Sequence, residues 1–142
     1  MSKAVMRVLL GLLCVIAVGC SGRGYPGARR FPLSGKVTAD GQPMHMGVIS
    51  FIPQDQSGRV SGGPIQDGTY SVPEEKGPTE GTYEVRVSWN KLTGKKIPNP
   101  SDRGYMIDEM VEGLPAKYRD NSELVAEVSP KQTKFDFDLK SK

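Results

Sequence analysis

The sequence predicts an all-β fold, a single sandwich of about seven short strands. Three observations carry that expectation. The 142 residues include seventeen glycines and eleven prolines, which favour frequent turns over long helices. From residue 33 onward, short segments alternate apolar and polar side chains, the two-residue period of a half-buried strand. Asp-Gly pairs at Asp40-Gly41 and Asp67-Gly68 supply the tight turns that join such strands.

Leu33 to Val37 alternates, with Leu33, Gly35 and Val37 on one face, and runs into the Asp40-Gly41 turn. Gly47 to Pro53 is the second strand, with Ile49 and Phe51 inward. Val60 to Gln66 is broken by glycines and reads as a weak edge strand. After Asp67-Gly68, Thr69 to Val72 places Tyr70 and Val72 on one face. Thr82 to Asn90 gives the clearest alternation: Tyr83, Val85, Val87 and Trp89 on the dry side, and Thr82, Glu84, Arg86 and Ser88 on the wet side. Leu124 to Val128 and Thr133 to Leu139 complete the set, the last burying Phe135, Phe137 and Leu139. Residues 91–121 show no strand alternation and form a long insertion. Within it, Met106 to Glu112 is expected to make one or two helical turns.

The chain begins with a targeting pattern. Lys3 and Arg7 precede an unbroken apolar run, Val8 to Val18, which suits a signal peptide and is too short for a bilayer span of roughly twenty residues. The run ends in Ala17-Val18-Gly19-Cys20, which resembles a bacterial lipobox. That resemblance implies cleavage before Cys20 and a lipid on its thiol. The expected organisation is therefore a signal peptide at 1–19, lipidated Cys20 with a flexible Gly-, Pro- and Arg-rich tether at 20–32, and the sandwich at 33–142. Cys14 leaves with the signal, so the mature domain has no thiol for catalysis, a disulfide or a metal. Two or three acyl chains on Cys20 hold a protein on a membrane without a transmembrane helix.

The formal charge of +3 includes Lys3 and Arg7, and without them 17 basic residues face 16 acidic ones. Bases and acids are interspersed, unlike the clustered basic face of a nucleic-acid binder. No nucleic-acid partner and no cofactor is expected.

Three stretches in order carry a family resemblance: Ser34 to Pro43 (SGKVTADGQP), Gly47 to Pro53 (GVISFIP) and Asp67 to Val72 (DGTYSV). With Gly81 to Val85 (GTYEV), they resemble carboxypeptidase regulatory-like domains. The tail, from Leu114 to Tyr118 and on to Leu139, resembles short planctomycete lipoproteins. The resemblance implies a prealbumin-like seven-stranded β-sandwich in an extracytoplasmic setting and brings no catalytic residues.

Enzymatic patterns are weak. His45 is a lone histidine near a turn, and Asp40 beside it does not make a metal site. Asp108, Glu109 and Glu112 lack the alternating ligands of a calcium loop. Lys36, Glu84, Asp136 and Asp138 invite comparison with isopeptide-forming adhesins, but alternation turns all four outward. The expectation is a non-enzymatic, membrane-anchored structural or interaction module of the cell envelope, with an envelope glycan or protein as partner. The alternative is a carbohydrate- or peptidoglycan-binding module. Lys95, Lys96, Tyr105 and Tyr118 are the candidate partner contacts, and Trp89 is expected in the core or at its edge.

Overall fold

A computed structural model describes residues 27–55 and 58–142. Among the described residues the fold is all-β: nine strands join in one sheet, and the strand pairs are antiparallel except for that of the first strand with the last. Cys20, the lipobox and residues 1–26 lie outside the described residues.

β1 (Leu33–Ala39) alternates buried and outward residues as its sequence requires, with Leu33 and Val37 inward. Asp40 and Gly41 take positive φ values of 52° and 79°, the left-handed pair that closes a two-residue hairpin onto β2 (Gln42–Pro43). β3 (Met46–Pro53) follows, burying Ile49 and Phe51. β4 (Ser61–Gln66) turns at Asp67-Gly68, again with both φ values positive, into β5 (Thr69–Val72).

β4 is not an edge strand, which corrects the sequence expectation: it pairs with β3 over its full length and with β5 at its end. Gly62 serves close approach, since a Cβ there would sit 2.2 Å from the Ile49 carbonyl oxygen. Only Ile65 and Gln66 pair with β5, so the ladder on that side is already open at Pro64.

β6 (Gly81–Pro98) spans eighteen residues and is the spine of the molecule. β3 flanks Tyr83 to Trp89. β8 (Val125–Val128) pairs with Gly81 to Glu84, and β7 (Met106–Glu112) pairs with Asn90 to Pro98. β9 (Phe137–Leu139) lies parallel to β1. Asp136 and Asp138 face outward and join this pair, accepting from the Lys36 amide at 2.7 Å and the Thr38 hydroxyl at 2.8 Å. Of the last segment, Leu139 is buried, whereas Phe135 and Phe137 are half-buried against the core rather than fully enclosed.

Seven strands coincide with the sequence reading. The two additional ones are β2 and β7, and β7 overturns the expected helical turns at Met106 to Glu112. Arg30 and Phe31, expected in the tether, already belong to the body. Arg30 bridges to Thr79, and the buried Phe31 donates its amide to the Pro78 carbonyl at 2.9 Å.

Candidate functional site

Residues 91–121, expected as an irregular insertion, are mostly a two-stranded arm. The outer half of β6 leaves the body after Trp89, β7 returns antiparallel, and Ala116–Tyr118 forms a single 3-10 turn beyond it. The register shifts between Leu92 and Lys96, a bulge centred on Gly94, whose φ is 81°. At the tip, Asn99 donates its amide to the Tyr105 carbonyl, and Tyr105 donates to Asp102.

The arm is wet on both sides, because each face mixes apolar and charged residues. Cross-strand partners share a face, so one side carries Leu92 with Met110, Lys96 with Asp108, and Pro98 with Met106. The other carries Lys91 with Val111 and Ile97 with Ile107. Lys96 Nζ lies 3.0 Å from Asp108, and the Thr93 hydroxyl donates to Glu109 at 2.6 Å. Leu92, Met106, Ile107, Met110 and Val111 are all exposed. An open groove of about 690 Å³ runs along the arm, lined by Lys96, Ile97, Met106, Ile107, Asp108 and Met110.

The root of the arm is tightly fixed. Glu112 accepts from the Ser88 hydroxyl at 2.7 Å, the Trp89 amide at 2.9 Å and the Leu114 amide at 3.0 Å. Arg119 Nε stands 3.8 Å from the same carboxylate. Partial burial pushes the Glu112 pKa upward, but these donors and the nearby guanidinium outweigh it and hold the group below the ordinary glutamate value. Gly113 is equally constrained: a Cβ there would lie 2.4 Å from Trp89 Cε3.

The candidate contact residues are divided by the structure. Lys95, Lys96 and Tyr105 lie on the arm, with Tyr105 exposed at its tip. Tyr118 does not: it packs against the core, and its hydroxyl accepts the Lys140 amide at 3.3 Å. Trp89 is half-buried at the core edge, with Gly113 against its ring and Lys91 Nζ 5.2 Å from the ring centroid. Among the described residues no ring contact joins Trp89, Tyr105 and Tyr118 into a stacking platform.

Sequence reasoning missed the strand β7 and, with it, the roles of Glu112 and Gly113 at the root. Their only signal was the spacing of Ile107 and Val111 among acids, a mixed pattern that a wet ribbon and a helical turn share.

Other chemistry-bearing groups lie in the body, apart from the arm. His45 Nδ1 sits 3.2 Å from Asp67 Oδ1, and both side chains are more than four-fifths exposed. The Tyr70 phenol donates to the Phe135 carbonyl at 2.9 Å, and burial pushes its pKa well up. Asp40 accepts from the Ser141 hydroxyl and amide, which hold its pKa down and pin the C-terminal residues to the β1–β2 turn. Glu84 accepts from Arg86 Nε at 2.6 Å and the Ser122 amide at 3.2 Å. Among the described residues, no three His, Cys, Asp or Glu side chains are grouped to hold a metal. No helix among them is long and apolar enough to cross a membrane. Comparison with family models, with curated proteins and with solved structures returned no significant match.

Proposed function

We propose that the protein is an extracytoplasmic lipoprotein, anchored through Cys20, that acts as a non-enzymatic interaction module of the cell envelope. On this reading its body is a prealbumin-like sandwich of the carboxypeptidase regulatory-like type, extended by the arm. The targeting pattern ending at Cys20 and the order of the Gly- and Asp-Gly-containing strands support the two halves of the proposal.

The observation that carries the reading is the placement of the arm relative to the start of the body. Gly27 and Ala28 lie beside Gly77 to Thr79, at the beginning of β6. The arm lies at the other end of that same strand. Eighteen residues of strand extend on the order of 55 Å at about 3.3 Å per residue. Cys20 is seven residues before Gly27, a stretch whose full extension is about 25 Å. A lipid on Cys20 would hold the near end of the molecule to a membrane and leave the arm projecting from the far end. Loops and projections on a rigid frame are where recognition is usually built.

Cys20→Ser tests the anchor. The substituted chain is expected to incorporate no labelled palmitate and to accumulate as uncleaved precursor. Processing of the substituted chain after Gly19, with its membrane fractionation unchanged, would overturn the assignment.

A further inference from the structure

The two edges of the arm are built differently. Gly113 donates to the Trp89 carbonyl and Asn99 to the Tyr105 carbonyl, which fixes the hydrogen-bonding phase on both sides of the bulge. Odd-numbered residues of β7 turn their backbone groups toward β6. Met106, Asp108 and Met110 turn theirs outward, where no strand of the described residues pairs with them.

The outer edge of β6 carries the features that block strand addition: Lys91, Lys95 and Lys96, a bulge at Gly94, and Pro98, which has no amide to offer. β7 has no bulge, proline or base, and its charges are the acids Asp108, Glu109 and Glu112, which oppose an acidic strand and not a basic one. From Met106 to Glu112 it is a regular run without proline, glycine or lysine.

From this asymmetry we infer that the open edge of β7 is a strand-addition site for an extended, basic segment of a partner polypeptide. The inference deepens the interaction-module reading by naming the surface and the kind of partner. The side-chain order sets the partner's pattern. Asp108 and Glu109 form a central acidic pair, flanked by Met106 and Ile107 on one side and Met110 and Val111 on the other. A complementary strand has two adjacent bases between apolar pairs, so that both faces match. A second β7 is a poor occupant, because the two strands together would gather six acids in one ladder with no base on either strand. The chain's own apolar run is not the occupant on the proposed reading, because it leaves with the signal, and residues 20–26 extend only about 25 Å from Gly27, short of the arm farther along β6.

The test uses the full chain in mild detergent with two capped peptides, Val-Ile-Lys-Lys-Ile-Val and its charge-reversed form Val-Ile-Glu-Glu-Ile-Val. The readout is residue-resolved amide exchange. The lysine peptide is expected to slow exchange at Asp108 and Met110 while leaving the already bonded Val111 amide unchanged. The glutamate peptide should leave all three amides unchanged.

Met110→Pro removes one outward amide without touching an internal bond, and is expected to weaken the lysine peptide about five- to tenfold. Retained protection at Ile107 and Val111 in that variant shows that the arm is still formed. If it is not, the pattern in the unsubstituted chain decides alone. Equal protection by both peptides would overturn the basic partner, and protection by neither would overturn the site. Concentration-dependent protection without peptide would assign the edge to a second copy instead. None of these results bears on Cys20, whose substitution tests the anchoring reading separately.

Discussion

Along β6, Tyr83, Val85 and Val87 are at most 2% exposed, whereas Leu92 on the same strand is 51% exposed. The backbone does not change between them; the neighbours do. Tyr83 to Val85 lie between β3 on one edge and β8 with residue Leu124 on the other, over a core that includes Val87, Ile49 and Phe51. Beyond Trp89 the strand has one partner, β7, and water on both faces. An isolated two-stranded ribbon is marginally stable in water. The arm therefore depends on its root, where Glu112 gathers three donors and Gly113 packs on Trp89, while the body depends on apolar burial.

Placing the same charge at two points on β6 should give the largest contrast. Val85→Asp buries a carboxylate among apolar side chains and is expected to cost several kcal/mol, read from urea unfolding. Leu92→Asp, on the wet arm, is expected to cost less than about 1 kcal/mol. Similar losses at both positions would erase the distinction between body and arm.

The root is next in size. Gly113→Ala forces a methyl into the Trp89 ring and is expected to destabilise by about 1–3 kcal/mol, with a change in Trp89 fluorescence. An unchanged emission spectrum would mean that the ring is not held by this contact.

The smallest effect is the pH dependence of Glu112. Its folded pKa is lowered, so its stabilisation is complete above the ordinary value of 4.5 and is lost as pH falls through the folded value. The melting-temperature advantage of the native chain over Glu112→Gln should accordingly be constant near neutrality and shrink below about pH 4.5. An advantage that grew on acidification would have the wrong sign.

The legible and illegible parts of the sequence follow the same division. Thr82 to Asn90 could be read because one face is dry and the other wet, which writes a two-residue period into the residues. Asp40-Gly41 and Asp67-Gly68 could be read because few other pairs accept two positive φ values. Met106 to Glu112 could not, because a ribbon wet on both faces has no dry side to mark. Methionines four apart then match a helical turn as well as a strand. The position of β4 was hidden for another reason: Gly62, Gly63 and Pro64 look like edge chemistry, and only the register shows Gly62 against the Ile49 carbonyl and Pro64 where the β5 ladder has opened. The arm carries Lys95, Lys96 and Tyr105 of the expected contacts; Tyr118 instead lies half-buried against the core, and its hydroxyl accepts the Lys140 amide.

Native-state amide exchange along β6 tests most directly whether one strand holds two kinds of stability. Exchange at Val85, bonded to Leu124, is expected to require global unfolding and to slow or speed with every change in overall stability. Exchange at Lys91 and Ile97, bonded only across the arm, is expected at a distinctly lower opening free energy, insensitive to mild destabilisation of the core. A single opening free energy shared by Val85, Lys91 and Ile97 would contradict the account, because the arm would then be an integral part of the cooperative body.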